Sequence, residues 1–190
     1  NSVCLVLHDY GGIVGQELLD RSWNGNLMIK IDSLVLLNFA IAYEAYRPVL
    51  MQKILNLPII GSLVATLITK RRLFRGINSA RGANKLSAAE FEALWSGISR
   101  EDGQKLSHRH IRYNRERNAH ARRWEAALFA YRGPTKLVWG LADPVSGAHV
   151  LKLARPKLKH LSEDDILELP NVGHFPQSEA SAVVAQAIRS

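Results

Sequence analysis

The sequence predicts an α/β fold in which a parallel sheet is flanked by helices and interrupted by a helical insertion. Short apolar runs typical of buried strands occur near both ends of the chain and alternate with helical patterns. Between residues 39 and 131 the strand pattern is absent and helical spacing prevails. With 190 residues the chain is long enough for one sizeable core. We therefore expect core segments at 1–38 and 132–190 and a helical cap at 39–131.

The first apolar run, Val3–Leu7, predicts a strand buried on both faces. After His8 and Asp9, two glycines lead directly into a helical stretch that ends at Trp23. Strand, polar residue, glycines and helix form the layout of a nucleophile elbow, which exposes a reactive side chain above the carboxyl end of a parallel sheet. Asp9 occupies the apex. The alternative role for Asp9 is to cap the helix that begins beside it.

A second apolar run, Ile31–Leu37, ends in the polar residue Asn38. It is typical of the neighbouring parallel strand. Strand, helix and strand within about forty residues form a βαβ unit, whose crossover should be right-handed.

Four helices are predicted in the cap. One begins near Pro48, an apolar one covers 58–69, a capping box at Ser87 opens the third, and the fourth covers 118–130. The apolar stretch is shorter than the ~20 residues of a membrane span and is interrupted by Pro58 and Gly61. We interpret it as facing the pocket or the core, while its apolar face and basic flank leave shallow membrane contact open.

The strand pattern resumes at Thr135–Gly140 and again at 165–169, with helices predicted at 149–158 and 177–188. Asp143 follows the first of these strands, and His174 follows the second. Because the carboxyl ends of parallel strands meet at one edge of a sheet, we expect Asp9, Asp143 and His174 to converge there. Taken singly, Asp143 is also typical of a turn and His174 of a hydrogen-bonded loop.

Composition restricts the partners. The net charge is +8, and residues 70–123 contain fourteen Lys or Arg against five Asp or Glu. No base-reading motif or aromatic platform accompanies this charge, so we predict no nucleic-acid partner. The histidines of this region lie among arginines, which repel a metal ion, and we assign no metal site. The single cysteine, Cys4, predicts an inert core thiol and a reducing, cytoplasmic location.

Three motifs carry a resemblance to a known family. His8-Asp9-Tyr10-Gly11-Gly12 resembles the elbow of the aspartate-nucleophile branch of the α/β-hydrolases, which comprises epoxide hydrolases and haloalkane dehalogenases. Gly140–Pro144 resembles the acid loop of that superfamily, and Gly173–Phe175 resembles its histidine loop. Segments 13–19 and 47–50 further resemble the mesoderm-specific transcript group. The resemblance implies the C-terminal part of an α/β-hydrolase fold, and we interpret the chain as lacking its N-terminal part.

The resemblance also implies a mechanism without a cofactor. Asp9 would attack a small apolar electrophile and form an alkyl ester, and His174, oriented by Asp143, would activate the water that hydrolyses the ester. The backbone N–H of Tyr10 would supply one donor of the oxyanion hole, and an upstream loop outside this chain the second. We therefore expect the chain alone to be inactive.

The leaving group separates the two branches. Epoxide opening needs acidic groups on the cap, and halide release needs N–H donors. The tyrosine candidates are Tyr43, Tyr46 and Tyr113, and the tryptophan candidates are Trp95 and Trp124. Dehalogenases usually have Trp where this chain has Tyr10, so epoxide hydrolysis is favoured and dehalogenation stays open.

A catalytically silent binding protein of the same fold is the other alternative. It is motivated by the basic cap and by Leu7, because the position two residues before an elbow nucleophile is normally small. We expect Leu7 to crowd the turn. Esterase chemistry is disfavoured because no serine occupies the elbow.

Overall fold

The computed structural model describes residues 1–189, and they form a sheet of four parallel strands. The strands lie side by side in chain order: β1 (Ser2–His8), β2 (Lys30–Leu37), β3 (Thr135–Gly140) and β4 (Ile166–Leu169). All three neighbouring pairs are parallel, so their carboxyl ends share one edge. The predicted α/β class and parallel sheet are confirmed.

The helices lie between these strands and after them. α1 (Tyr10–Trp23) joins β1 to β2, and it ends at Asn24 and Gly25 as a typical C-terminal stop. Between β2 and β3 the described chain contains α2 (Leu50–Leu55), α3 (Ile60–Thr66), α4 (Lys70–Ala80), α5 (Ala88–Ile98), α6 (Ser107–His110) and α7 (Tyr113–Ala130). α8 (Ala148–Ala154), α9 (Pro176–Glu179) and α10 (Ser181–Arg189) follow β3 and β4. Short 3-10 turns lie at Tyr43–Ala45, Arg100–Leu106, Arg155–Lys157 and Glu163–Asp165.

The two central strands are buried on both faces. Leu36 and Leu137 belong to a large core beneath α1, α7 and α8, whereas Val35 and Val138 pack against α10 on the opposite face. Burial on both faces explains why these strands are apolar without alternation. The last turns of α7 belong to the large core too, because Leu128 is buried there.

The prediction that the first strand is buried on both faces is wrong. Val3 and Val6 are 37% and 44% exposed, and Cys4 is exposed, so it is not an inert core thiol. The physical reason is that β1 forms the edge of the sheet among the described residues and pairs there with β2 alone.

Two further predictions need correction. The apolar stretch 58–69 does not face the pocket or the core as a whole, because Ile59 and Leu63 are 84% and 64% exposed. The closing helix is broken at Ala180, whose backbone leaves the helical region between α9 and α10. Within residues 1–189, no helix is long and apolar enough to cross a membrane.

Candidate active site

Asp9, Asp143 and His174 meet at the carboxyl edge of the sheet. His174 Nδ1 lies 2.7 Å from Asp143 Oδ2, and His174 Nε2 lies 3.8 Å from Asp9 Oδ1. Their side chains are 53% exposed for Asp9, 10% for His174 and fully buried for Asp143. The imidazole therefore bridges an accessible carboxylate and an inaccessible one, in the arrangement that the strand-end argument predicts.

The backbone of Asp9 adopts the unusual conformation of a tight elbow. Its φ of 46° and ψ of −120° are sparsely populated by residues other than glycine, and such strain is typical of functional turns. Two backbone hydrogen bonds hold it: the Asp9 N–H donates to the Asn38 carbonyl at 3.2 Å, and the Gly12 N–H donates to the Asp9 carbonyl at 3.0 Å. The Asp9 side chain makes no capping hydrogen bond to α1, which removes the capping alternative.

Leu7 does not crowd the elbow, because α1 makes room for it. Leu7 is buried, and a Cβ added to Gly15 would lie only 2.2 Å from Leu7 Cδ1. Gly12 leaves similar space for Phe39, whose ring carbons would lie 2.3 Å from an added Cβ. The large residue before the elbow is thus accommodated by a glycine one turn into the helix.

Asp143 is held as a carboxylate by hydrogen-bond donors on both oxygens. Oδ2 accepts from Ser146 Oγ at 2.6 Å, from His174 Nδ1 at 2.7 Å and from Asn38 Nδ2 at 3.0 Å, and Oδ1 accepts from the Val145 N–H at 2.7 Å. Burial raises the pKa of Asp143, but the hydrogen bond and charge of His174 outweigh it, and the pKa falls to about 2. The carboxylate is therefore ionised throughout the neutral range.

His174 is stabilised in its protonated form by the two carboxylates. Burial lowers its pKa, but the hydrogen bond to Asp143 and the interaction with Asp9 raise the pKa to about 10. For Asp9 the surrounding protein raises the pKa, and His174 more than compensates, so the pKa of Asp9 lies below its ordinary value. Both shifts favour an ionised Asp9 beside a protonated His174.

The loop that carries His174 is fixed by the cap and by Glu179. The His174 N–H donates to the Ala80 carbonyl at 2.8 Å. The buried Glu179 carboxylate accepts from the N–H groups of Gly82, Gly173 and Phe175 at 2.7, 3.0 and 3.0 Å. These bonds tie the end of α4 to the histidine loop.

His8 supports the histidine loop from the opposite side. Its Nε2 donates to the His174 carbonyl at 2.7 Å, and its Nδ1 lies 3.3 Å from Gln177 Nε2. Burial, and then the charge of His174, lower the pKa of His8. A neutral His8 with its Nε2 protonated satisfies both contacts.

The tyrosine candidates lie beside the elbow. Tyr113 contacts Tyr10 with ring centroids 4.5 Å apart, and the Tyr43 and Tyr46 rings are 6.3 Å apart. Burial raises the pKa of Tyr46 and Tyr113, and the charge of Asp9 raises both further. Arg117 is buried, and its guanidinium lies 5.4 Å from the ring centres of both Tyr43 and Tyr46. The phenols of Tyr46 and Tyr113 are therefore protonated, and both are within the electrostatic reach of Asp9.

Trp124 lines a cleft with the elbow residue Tyr10 and with Tyr113, whereas Trp95 packs elsewhere in the cap. The Trp124 indole N–H donates to the Glu17 carboxylate on α1, and its ring belongs to the large core. Trp95 packs on Phe91, whose ring also contacts Phe74. The bond to Glu17 occupies the Trp124 N–H, which argues against Trp124 as a halide donor, and that role stays a prediction.

The sequence analysis did not identify four residues that the structure places at the site: Asn38, Ser146, Glu179 and Arg117. A signal existed for Asn38, because it follows a buried strand as Asp9 does. The others lie in a loop or on helices whose polar residues carry no distinguishing pattern. Among residues 1–189 no group of three or more His, Cys, Asp or Glu side chains is placed to hold a metal ion.

Sequence comparison finds named relatives of this chain. No protein-family model matches the sequence. The chain is 35% identical to LipZ of Mycobacterium tuberculosis, whose name assigns it provisionally to the hydrolases, over all of this chain and 65% of that protein. It is 35% identical to the human mesoderm-specific transcript homolog protein over 92% of this chain and 53% of that protein. The chain thus spans between half and two thirds of the length of these relatives.

Solved structures identify the fold. An alpha/beta hydrolase fold protein from Burkholderia ambifaria superposes with a TM-score of 0.66 at 20% identity, covering 98% of this chain and 65% of that one. The haloalkane dehalogenase DbeA from Bradyrhizobium elkani superposes with a TM-score of 0.71 at 16% identity over the same shares. The chain has the α/β-hydrolase fold. Within this fold the elbow, the acid loop and the histidine loop follow β1, β3 and β4.

Proposed function

We propose that the protein hydrolyses an epoxide through a covalent ester on Asp9. The observation that carries the proposal is the placement of His174 between the accessible Asp9 carboxylate and the buried Asp143, at a strained elbow. Relatedness to LipZ, named among hydrolases, supports the general class. The described chain covers part of such a protein, so the activity is proposed for the full-length molecule.

In the first half-reaction a carboxylate oxygen of Asp9 attacks an epoxide carbon. The Asp9 O–C bond forms as the ring C–O bond breaks, and the released alkoxide takes a proton from a phenol. We assign Tyr46 and Tyr113 as the donors, because both phenols are protonated and interact electrostatically with the Asp9 carboxylate. An ionised carboxylate is suited to this displacement at an sp3 carbon.

The second half-reaction uses the change in charge at Asp9. Esterification removes one of the two carboxylates that raise the pKa of His174. The imidazolium can then give up its proton, which returns through solvent to the phenolate left by the first half-reaction. The neutral imidazole next accepts a proton from water, whose oxygen attacks the ester carbonyl. We assign the N–H of Tyr10, at the first position of α1, as a donor to the oxyanion that forms on the Asp9 carbonyl, because it also interacts with the Asp9 carboxylate. Collapse releases the diol and regenerates Asp9.

Haloalkane dehalogenation is the nearest alternative, because it shares the ester intermediate. The titles of several structural neighbours name that activity, at identities that support the fold alone. Against it, Trp124 donates its N–H to Glu17, and Tyr10 stands where a tryptophan would assist halide release. The silent-protein alternative loses one motive, since Gly15 accommodates Leu7.

The test is ester trapping in the purified full-length protein with His174→Gln. This variant should form the ester but not hydrolyse it, so incubation with styrene oxide should add the mass of one molecule to the Asp9 peptide. A parallel incubation with 1-bromobutane distinguishes the dehalogenase alternative, and Asp9→Asn combined with His174→Gln is the control that should gain no mass. No adduct from epoxides or alkyl halides of varied size would refute the aspartate nucleophile.

A further inference from the structure

We propose that α2 and α3 form a docking surface for an anionic lipid bilayer. We call this surface the cap tip, and we define it by eight large apolar side chains that are each at least 41% exposed: Val49, Leu50, Met51, Leu57, Ile59, Ile60, Leu63 and Leu67. A soluble surface rarely collects such residues within twenty positions. The proposal concerns binding and does not depend on the chemistry at Asp9.

In this part of the cap, α3 buries its small residues, and the large apolar side chains of α2 and α3 that define the cap tip point to solvent. Gly61 and Ala65 are the buried residues of α3, and an added Cβ on Gly61 would lie 2.2 Å from the Leu55 carbonyl oxygen. Leu50 and Leu63 are 72% and 64% exposed. This is the reverse of the usual sorting in a globular protein, so the apolar face is available to a partner.

Ile59 is the most exposed residue of the cap tip, and its backbone is strained. It is 84% exposed, with φ at 61°, a value that β-branched residues very rarely adopt. Ile59 is the residue before α3, and its carbonyl accepts from the Leu63 N–H and from Ser62 Oγ. The turn therefore presents an isoleucine to solvent at a conformational cost, which is typical of a functional position.

The charge of the segment that carries the cap tip favours an anionic partner. Glu101 and Asp102 lie on the turn packed against α3, and they are paired with Arg100 and Lys105. Residues 45–89 contain eight Lys or Arg and no Asp or Glu. Arg47, Lys53, Arg71 and Arg75 are exposed, and Arg72 joins the two regions by donating to the Leu67 carbonyl. Large apolar side chains flanked by basic residues are typical of helices that bind the surface of an anionic bilayer. We therefore assign a bilayer rather than a protein groove.

The position of the cap tip gives this contact a consequence. α2 begins four residues after Tyr46, and the phenol of Tyr46 interacts electrostatically with Asp9. Arg115, two residues after Tyr113, donates to the Asn56 carbonyl at the end of α2 at 2.9 Å. A docked cap tip would therefore bring the bilayer to the end of the cap that is connected to the segments carrying Tyr46 and Tyr113.

The test is flotation of the purified full-length protein with vesicles. We expect binding to vesicles of phosphatidylcholine and phosphatidylserine, weaker binding to phosphatidylcholine alone, and loss of binding in high salt. The variant Leu50→Ser/Ile59→Ser/Leu63→Ser should bind at least tenfold more weakly. Arg71→Gln/Arg75→Gln should lose roughly tenfold on anionic vesicles. Because these side chains are exposed, folding should be preserved, which circular dichroism checks.

Matched controls come from apolar side chains outside the cap. Trp23 and Met28 are 68% and 100% exposed, so Trp23→Ser/Met28→Ser removes comparable surface and should bind as the unmodified protein does. Asp9→Asn should also bind normally, which separates docking from catalysis. Failure to bind anionic vesicles, or equal binding by the cap-tip variant, would overturn the proposal. A dimer that the cap-tip variant converts to a monomer, without vesicle binding, would assign the surface to a second copy instead.

Discussion

Asn38 and Asp143 are joined across the ends of two strands by a hydrogen bond of 3.0 Å. The Asn38 amide also donates to the Gly140 carbonyl at 2.8 Å, and its oxygen accepts from the Gly140 N–H at 2.7 Å. One fully buried side chain therefore closes the gap between β2 and β3 and orients the acid that holds His174. It links the stability of the sheet edge to the geometry of the site.

Replacing Asn38 should damage stability and site together. Asn38→Ala leaves the Gly140 N–H and carbonyl without these partners, and we expect a loss of about 1–3 kcal/mol in the free energy of unfolding. Asp143 loses a donor, so ester hydrolysis should slow as well. Urea unfolding and single-turnover kinetics check both effects. Asn24→Ala, at the exposed end of α1, is the control, and an equal loss there would contradict the argument.

The contact between Leu7 and Gly15 should appear as coupling in a double-mutant cycle. Gly15→Ala forces a methyl group into Leu7 and should cost about 1–3 kcal/mol. In the background of Leu7→Ala the same change should cost much less, because the space is vacated. Gly11→Ala, where an added Cβ meets nothing within 4 Å, should be nearly neutral. Thermal unfolding of the four cycle variants measures the coupling, and additive effects would contradict the proposed fit.

His174 should make stability depend on pH in the alkaline range. Its pKa is raised from 6.5 to about 10 on folding, so its protonated form stabilises the native state fully below pH 6.5, and this contribution is lost as the pH rises toward about 10. His174→Gln should therefore flatten the alkaline decline in the free energy of unfolding. Urea titrations across that interval test the sign. An unchanged decline in the variant would show that other groups cause it.

The phenols should matter for one class of substrate only. Removing the acid by Tyr46→Phe or Tyr113→Phe should slow ester formation from an epoxide by about 10²-fold or more. Ester formation from an alkyl bromide should change little, because bromide leaves without a proton. Burst-phase mass spectrometry on the His174→Gln background compares the two reagents. Equal slowing with both would mean that the phenols position Asp9 rather than donate protons.

Glu179 should act as a positioning residue for the histidine loop. Glu179→Gln replaces an acceptor of three N–H groups by an amide that offers one oxygen, and we expect a loss of about 1.5–3 kcal/mol in stability. Because the loop holds His174, kcat should fall more than KM rises. The control is Glu163→Gln, at an exposed carboxylate that pairs with Arg155. A fall in kcat of equal size in the two variants would contradict this role.

The sequence predicted most of the sheet because its strands are short, mainly apolar runs, and a polar residue follows each run within a few positions. β2, β3 and β4 follow from those runs, and the convergence of Asp9, Asp143 and His174 follows from the geometry of parallel strands. The capping box at Ser87 likewise predicted the start of α5, because its signature lies within four residues.

What the sequence by itself determined, then, was the order of elements and the edge at which the polar loops meet, since both depend on local pattern and on the rules of parallel sheets. Only the tertiary structure decided which chemically suitable residues are free to act. Trp124 is committed to Glu17, and Leu7 is accommodated by Gly15. Each of these outcomes depends on contacts between residues far apart in the chain, and short-range periodicity contains no information about such contacts.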